Sequence, residues 1–160
     1  MIFLLLGSNL GDRAANLAGA RERLYERLVF EYFEYDESPK VYFSPEVKSE
    51  AVGFEGPFFL NQIVVFEELR ISPLELLDVC QEIEVEMGRE AHQAEYDDED
   101  RRIYKDRIID IDILAFDEIE SDTKRLTLPH PQVWSRPFVM EIAALLPEEI
   151  FKHFQTIVNN

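Results

Sequence analysis

The chain has 160 residues, 46% hydrophobic and 12% aromatic, so it is long and apolar enough to bury a core. Its 33 acidic and 16 basic residues give a formal net charge of -17, which disfavours binding to nucleic acid through general attraction to phosphates. An anionic ligand would have to be met by a local cluster of arginine and lysine, or by metal ions.

Domain number and compartment can be estimated from simple features. The single cysteine, Cys80, excludes an internal disulfide, and the apolar run at residues 1–6 is too short for a membrane span or a signal peptide. We see no internal repeat and no low-complexity linker. We therefore expect a single domain over residues 1–160 that is cytoplasmic, monomeric and not bound to membranes.

The first predicted elements are a strand and a helix. Residues 2–6 are apolar throughout, which indicates a central strand, and Gly7 ends it. Asn9 or Asp12 is a candidate N-cap for the helix that follows. The apolar face of this helix would run through Leu17, Leu24 and Leu28.

Two further strands are predicted on either side of a long loop. Residues 29–35 are aromatic and alternate in part, which favours a second strand. Residues 36–57 contain three prolines and two glycines and predict a loop of a length that is often functional. Residues 58–69 predict the third strand.

The second helix has the clearest sequence signature. Ser72 is its predicted N-cap, Pro73 occupies the first helical position, and Glu75 completes a capping box. Gly88 ends the helix. Its apolar stripe consists of Leu76, Leu77, Cys80, Ile83 and Met87.

The remaining elements complete a recognisable order. Residues 90–102 are polar and predict a second long loop, and residues 107–116 predict the fourth strand. Residues 126–138 contain three prolines and predict an irregular segment before one or two short helices. The order strand, helix, strand, strand, helix, strand is typical of an α+β ferredoxin-like sandwich, in which helices pack on one face of an antiparallel sheet.

Two aspartates interrupt the apolar fourth strand. Alternate residues share a face, so the isoleucines of residues 109–113 would point one way, and Asp110 and Asp112 the other. One or two carboxylates together with substrate phosphates are the usual ligands of Mg²⁺. The alternative is a strand with a solvent-exposed polar face, but that face would continue into Leu114 and Phe116, which are apolar.

Basic residues flank the aspartate pair in sequence. They are Arg101, Arg102, Lys105 and Arg107 before it, and Arg125, His130 and Arg136 after it. Guanidinium groups bind phosphate oxygens and neutralise the charge that develops on transferring phosphoryl groups. The cluster therefore suits a metal-bound polyphosphate, although each arginine alone is equally compatible with surface charge. His130 lies between two prolines, which favours a fixed hydrogen-bond donor.

Two other motifs allow simpler interpretations. The turn Gly7–Gly11 lacks the lysine and the spacing of a Walker A motif, so a tight turn from strand to helix is the better interpretation. Phe59 and Asn61 share a face of the third strand. A ring and a side-chain amide suit a flat heterocycle through stacking and paired hydrogen bonds, and an ordinary strand end is the alternative.

Taken in order, these motifs resemble the 6-hydroxymethyl-7,8-dihydropterin pyrophosphokinase family of folate biosynthesis, whose fold is the ferredoxin-like sandwich. The matching stretches are GSNLG at Gly7–Gly11, VYFSP at Val41–Pro45, FFLNQ at Phe58–Gln62, QEIEVEMGR at Gln81–Arg89, DRIIDIDIL at Asp106–Leu114 and RLTLPHPQVWSRPFV at Arg125–Val139. The most specific feature is the combination of R-x-x-D-x-D-I-L with L-x-L-P-H-P and R-x-F-V.

The resemblance implies a reaction and a set of residues. The hydroxymethyl oxygen of the pterin would attack the β-phosphorus of ATP, so that pyrophosphate is transferred whole and AMP leaves. Two Mg²⁺ ions would be bound with ATP as co-substrate, by Asp110 and Asp112. The implied catalytic residues are Arg107, Asp110, Asp112 and Arg136. The implied ATP-binding residues are Gln81, Glu84, Arg107, Ile113, Arg125, Thr127, His130 and Arg136. The implied pterin-binding residues are Ser44, Pro45, Val47, Phe59, Asn61 and Phe138.

The chain departs from the family pattern in several places. Phe59 stands where tyrosine is frequent, Ser44 stands where threonine is common, and the loop after Pro45 is a few residues longer. Many members carry a basic loop with a tryptophan that closes over the substrate. Residues 90–102 contain six acidic residues and no tryptophan instead. The candidates for closing over the substrate are Tyr96, Arg101 and Arg102.

Two alternative functions stay open at this point. One is a non-catalytic ferredoxin-like module that binds a small regulator or a partner, because fold does not fix function. The other is a different phosphotransferase or nucleotidyltransferase with a D-x-D metal pair. The arginines around Asp110 and Asp112 argue against the first alternative, and Asn61 with Phe138 argues against the second.

Overall fold

An antiparallel sheet forms the centre of the protein in the computed structural model, which describes residues 1–32, 40–50, 56–88, 98–99 and 107–159. Its strands are β1 (Ile2–Ser8), β2 (Val41–Phe43), β3 (Val47–Ser49), β4 (Phe59–Phe66) and β5 (Asp110–Phe116). The strand order is β2-β4-β1-β5, and β3 also pairs with β4. A separate small ladder joins β6 (Ser121–Asp122) to β7 (Thr127–Leu128).

Helices pack on both faces of the sheet. On one face, α1 (Arg13–Tyr32) and α2 (Pro73–Glu86) enclose the first core, which contains Leu4, Leu6, Val64 and Ile111. On the other face, α3 (Gln132–Ser135), α4 (Pro137–Ala143) and α5 (Glu148–Val158) enclose the second core. The predicted ferredoxin-like α+β class is confirmed. The expectation of helices on one face only is wrong, because the apolar C-terminal helices cover the second face as well.

Helix α1 is longer than the sequence predicted. The side chain of Asp12 caps it by accepting a hydrogen bond from the Ala15 backbone N–H at 3.1 Å. The buried stripe of Leu24 and Leu28 continues into Val29 and Tyr32, which pack against the first core at helical spacing. The strand predicted over residues 29–35 is therefore wrong as far as Tyr32, and the rest of that range lies outside the described residues.

Helix α2 agrees closely with its prediction. Ser72 accepts a hydrogen bond from the Glu75 N–H, and the Glu75 carboxylate accepts one from the Ser72 N–H, which is the predicted capping box. Cys80 is fully buried on the apolar stripe, and burial raises the pKa of its thiol, so it stays protonated. Gly88 follows the helix at a φ of +100°, where a side chain would be strained.

The long loops and the fourth strand differ in detail from the prediction. The range 36–57 contains the short strands β2 and β3, and β5 begins at Asp110 rather than at residue 107. A shift in the register of β1 with β5 places an extra residue near Leu114, so Leu114 lies in the second core and Phe116 in the first. The prediction that Phe116 shares a face with the aspartates is therefore wrong.

The predicted second long loop and the residues predicted to close over the substrate lie largely outside the described residues. Of the loop predicted at residues 90–102, only the turn at residues 98–99 is described, and Tyr96, Arg101 and Arg102 lie outside the described residues. Among the helices of the described ranges, none combines the length and apolar character needed to cross a bilayer.

Candidate active site

One row of residues across the sheet joins the two halves of the predicted site. Gly7 of β1 pairs with Asp110 of β5 on one side and with Asn61 of β4 on the other, and Asn61 pairs with Val47 of β3. Residues in register on neighbouring strands share a face. The aspartate predicted to bind metal and the asparagine predicted to bind pterin therefore flank a glycine on the same face, with Cα atoms about 10 Å apart.

The two aspartates lie on the face of the second core. Asp110 is opposite Gly7 and Asp112 is opposite Leu5, a member of that core, whereas Ile109, Ile111 and Ile113 are buried in the first core. The predicted alternation is thus confirmed. Burial, with the charges of Asp110 and Glu84, raises the pKa of Asp112 to about 8. A carboxyl in this environment favours either a proton or a bound cation.

Two arginines bring positive charge to the pair. The Arg107 guanidinium donates a hydrogen bond from Nη1 to Asp110 Oδ1 at 2.8 Å, with the two side chains 17% and 24% exposed. Arg107 and Arg136 both act against the rise in the Asp112 pKa, so both lie close enough to exert their charge on it. Arg136 occupies the junction of α3 and α4. The structure therefore gathers all four residues predicted as catalytic.

Glu84 connects helix α2 to the edge strand β5. Its buried carboxylate accepts a hydrogen bond from the Ile111 backbone N–H at 2.8 Å. The side chain of Ile113 is inside the first core, so a nucleotide could reach this residue only at its backbone. Because alternate residues of an edge strand direct their backbone groups the same way, the Ile113 backbone faces the same outer edge of β5 as that of Ile111.

His130 is held against β5 by its backbone. Its N–H donates to the Leu114 carbonyl at 2.8 Å, and its Nδ1 accepts a hydrogen bond from the Gln132 N–H at 3.2 Å. A neutral imidazole that accepts at Nδ1 carries its proton on Nε2. The ring is therefore oriented with Nε2 as a donor, as a phosphate contact would require.

The other predicted nucleotide residues surround α2 and β7. Arg125 forms a surface ion pair with Asp78 of α2. Thr127 lies on β7 and is half-buried, and Gln81 is half-buried on α2, one helical turn before Glu84. Arg125 thus contacts α2, which sequence reasoning did not anticipate.

The predicted pterin residues lie on and beside the outer part of the sheet. Asn61 is 3% exposed and donates from Nδ2 to the Val47 carbonyl at 3.1 Å and to Ser49 Oγ at 2.7 Å. Phe59 is half-buried on the same face, and Phe138 of α4 packs against the second core, which lies on that face. Ser44 is buried and Pro45 is exposed. Sequence reasoning missed Ser49, because an exposed-looking serine in a loop carries no periodic signal.

The role of the turn after β1 was also missed. Asn9 is 1% exposed, accepts a hydrogen bond at Oδ1 from the Arg107 N–H at 2.6 Å, and donates its own N–H to the Arg107 carbonyl at 3.0 Å. Arg13 donates to the Phe58 carbonyl at 2.6 Å. The turn therefore holds the backbone of Arg107, and the first residue of α1 holds the start of β4; only the family motif hints at this.

Gly7 lies on the sheet between the two halves of the site, and its lack of a side chain leaves the surface there open. A Cβ at this position would lie 3.2 Å from Asn61 Oδ1 and 3.4 Å from a ring carbon of Phe59. A methyl group here would displace the amide or fill the space over the sheet. The arrangement can thus hold a flat polar heterocycle beside Asn61 and an anionic chain beside Asp110, with the reacting groups over Gly7.

We expect Gly7→Ala to weaken binding of a flat heterocycle by about tenfold, because overpacking at such a contact costs about 1–3 kcal/mol. Isothermal titration with a pterin and with an ATP analogue measures the two halves separately, and the ATP analogue should bind nearly as before. The control is Gly19→Ala on α1, where the new Cβ would meet the flexible ends of Arg23 and Met87 at 3.2 and 3.4 Å. Unchanged pterin affinity in folded Gly7→Ala protein would show that the heterocycle does not need the space over Gly7.

Comparison with known proteins identifies relatives over most of the chain. Residues 3–147 match the family described as 7,8-dihydro-6-hydroxymethylpterin-pyrophosphokinase. A 2-amino-4-hydroxy-6-hydroxymethyldihydropteridine pyrophosphokinase of Porphyromonas gingivalis is 36% identical over 143 residues, covering 87% of this chain and 85% of its own. One from Methylorubrum extorquens is 34% identical over 151 residues, 91% of this chain and 82% of its own. The mitochondrial folate synthesis bifunctional protein of Pisum sativum is 31% identical over 142 residues, 87% of this chain and 24% of its own.

Proposed function

The chain belongs to the 7,8-dihydro-6-hydroxymethylpterin-pyrophosphokinase family, and we propose on this basis how its residues carry out the family's reaction. The protein transfers pyrophosphate from ATP to the hydroxymethyl group of 6-hydroxymethyl-7,8-dihydropterin, a step of folate biosynthesis. The hydroxymethyl oxygen forms a bond to the β-phosphorus and gives up its proton to water. The bond from the β-phosphorus to the oxygen that bridges it to the α-phosphate breaks, and AMP leaves. The observation that best supports this assignment is the row Asp110, Gly7, Asn61, because it sets an anion site beside a heterocycle site.

Asp110 and Asp112 would hold the two magnesium ions that accompany ATP. The donor set fits, because both are carboxylates on one face and their mutual repulsion is relieved by a cation. Among the described residues, no group of three or more His, Cys, Asp or Glu side chains is arranged to hold a metal without other ligands. Phosphate oxygens would complete the coordination, and the bound metal would neutralise charge on the triphosphate.

The remaining residues of the phosphate half position the nucleotide. Arg107 and Arg136 neutralise the charge that develops at the transferred group, and Nε2 of His130 donates to a phosphate oxygen. The nucleotide is bound by Gln81, Glu84, Arg125, Thr127 and the backbone of Ile113. No general base is required, because phosphoryl transfer depends mainly on positioning and electrostatics.

The pterin half combines stacking with hydrogen bonds. Phe59 and Phe138 stack on the two sides of the pterin ring, and the loss of a tyrosine hydroxyl at position 59 leaves stacking intact. Asn61 accepts a hydrogen bond at Oδ1 from the edge of the heterocycle, because its Nδ2 already donates to Val47 and Ser49. The backbone from Ser44 to Val47 borders the ring.

Replacing Asn61 with alanine tests the pterin half. We expect Asn61→Ala to weaken pterin binding by roughly 30-fold or more, because polar groups of ligand and strand lose their partner in a buried site. Affinity for an ATP analogue with Mg²⁺ should change by less than about threefold. Titration calorimetry of each ligand separately measures both values.

Asn61 also supports β3, so a second variant separates the two roles. Ser49→Ala removes the hydrogen bond from Asn61 Nδ2 to Ser49 Oγ but leaves the amide in place. Its effect on pterin affinity should be much smaller than that of Asn61→Ala. If neither ligand were affected by Asn61→Ala in folded protein, a different phosphotransferase would be the better assignment.

We also propose that residues 1–160 form a single domain and that the protein is a monomer in the cytoplasm. Its small-molecule partners are ATP and the dihydropterin. Its composition and charge support these proposals. Size-exclusion chromatography with light scattering at micromolar protein would test the monomeric state.

A further inference from the structure

The edge of the pterin half contains a β-bulge. Phe43 pairs with Val64, and Val47 pairs with Asn61. Three residues, 44–46, therefore lie opposite only two residues of β4, Gln62 and Ile63. A bulge bends the edge and redirects its backbone, and such features are common beside active sites.

Ser44 anchors the bulge to β4. Its N–H donates to the Ile63 carbonyl at 2.9 Å, and its hydroxyl oxygen accepts a hydrogen bond from the Ile63 N–H at 2.9 Å. The hydroxyl in turn donates to the Pro45 carbonyl at 2.9 Å. A side chain thus replaces the backbone acceptor that a regular ladder would supply to Ile63.

Gln62 holds the same bulge from the opposite face of the sheet. It is 7% exposed, it alternates with Asn61, and its Nε2 donates to the Ser44 carbonyl at 2.6 Å. An amide has two possible orientations of similar shape, and only one of them presents a donor to this carbonyl.

Arg21 of α1 selects that orientation. Its Nη1 donates a hydrogen bond to Gln62 Oε1. A guanidinium has donors and no acceptor, so it holds the amide oxygen towards itself and the amide NH₂ towards the Ser44 carbonyl. Arg21 also lies 3.4 Å from Glu46 Oε1, and its guanidinium carbon lies 6.0 Å from the centre of the Phe43 ring. Besides Gln62, Arg21 therefore faces Glu46 within the bulge and the ring of Phe43 just before it.

We propose that Arg21 is a positioning residue for pterin binding: from the face of the sheet opposite the site, it fixes Gln62, which fixes the bulge at Ser44 and the backbone that borders the pterin. This inference rests on the proposed function for the identity of the ligand. The network of Arg21, Gln62 and Ser44 itself is independent of that identity.

Arg21→Gln tests the proposal, with Arg27→Gln as the matched control. Arg27 lies on the same helix and forms ion pairs with Glu82 and Glu86 of α2, remote from the bulge. We expect Arg21→Gln to raise the pterin KM and Kd by about tenfold, the value of one hydrogen bond to a charged group, with the ATP KM and kcat nearly unchanged. Arg27→Gln should leave the pterin KM unchanged even if its midpoint of thermal unfolding falls by as much as that of Arg21→Gln.

A conservative variant gives a second readout. Arg21→Lys retains a donor for Gln62 Oε1 and a positive charge beside Glu46, so it should restore most of the pterin affinity. A structural role alone would lower the active fraction without changing either KM. Unchanged pterin KM in folded Arg21→Gln protein, or equal changes for pterin and ATP, would overturn the proposal.

Hydrogen exchange separates failure of this inference from failure of the proposed function. Amide exchange at residues 44–49 should be faster in Arg21→Gln than in wild type, and unchanged in Arg27→Gln. If the wild-type protein made no AMP but showed this pattern, the network would stand and the assigned reaction would fall. If the wild-type protein were active and exchange at residues 44–49 were the same in all variants, the role of Arg21 would be wrong.

Discussion

Asp112→Asn should lower the rate of pyrophosphate transfer by about a thousandfold or more, while the protein stays folded. Asparagine has nearly the shape of aspartate, so packing beside Leu5 is kept, but the charge that would bind the metal is lost. Charge stabilisation by a bound metal contributes several kcal/mol in the transition state, and about 4 kcal/mol corresponds to a thousandfold. Turnover is measured as AMP formation at saturating ATP, Mg²⁺ and pterin.

The control for this substitution is Asp122→Asn, which makes the same change at an exposed position on β6. It should leave turnover within about twofold of wild type, because exposed sites contribute little. Mg²⁺-dependent turnover retained in Asp112→Asn would exclude Asp112 as a metal ligand. Asp110 would then have to hold the metal without it.

The same substitution should stabilise the metal-free protein, by an amount that grows with pH. Burial, Asp110 and Glu84 raise the pKa of Asp112 to about 8 in the folded state, whereas an unfolded aspartate has a pKa of about 3.9. Between these values the unfolded chain binds fewer protons than the folded chain, so wild-type stability falls as pH rises. Asparagine does not titrate, so the variant escapes this loss.

Urea unfolding in the presence of a chelator measures this effect. The difference in the free energy of unfolding between Asp112→Asn and wild type should be near zero at about pH 4. It should grow up to about pH 8 and then level off at a value on the order of 3 kcal/mol, since partial exposure and neighbouring arginines screen the charge. A difference that did not depend on pH would contradict the raised pKa. Loss of stability in the variant at all pH values would show that the carboxylate stabilises the fold.

The parts of the fold that could be predicted are those where one local signal dominates. Helix α2 has a capping box, a proline at its first position and a complete apolar stripe, and its predicted start is confirmed. The face of Asp110 and Asp112 follows from the alternation of a strand, which needs no knowledge of neighbouring elements.

The errors arise where tertiary contacts override a local pattern. Val29 and Tyr32 have strand-forming side chains, but their helical spacing continues the stripe of α1 into the first core, and Phe30 stays 82% exposed. The extra residue near Leu114 moves Phe116 to the other face of the sheet, and a bulge has no reliable sequence signal.

The site residues also divide into those that the sequence predicts and those that depend on tertiary contacts. The family motifs named Asp110, Asp112 and Asn61, which the structure assembles on one face of the sheet. They also named Arg107 and Arg136, whose charges act on Asp112. The roles of Gly7, Asn9 and Arg21 depend on which strands are neighbours, because Gly7 matters only between Asp110 and Asn61. Strand order was not derivable from the order of elements along the chain, so these contacts could be seen only in the folded protein.

Analysis of the nucleotide products is the most direct test of the assigned reaction. Purified protein is incubated with ATP, Mg²⁺ and 6-hydroxymethyl-7,8-dihydropterin, with controls that lack the pterin or the metal, and the products are separated by ion-exchange chromatography. We expect AMP and the pterin diphosphate in equal amounts, and neither product in the two controls. ADP with a pterin monophosphate would instead place the attack on the γ-phosphorus and contradict pyrophosphate transfer.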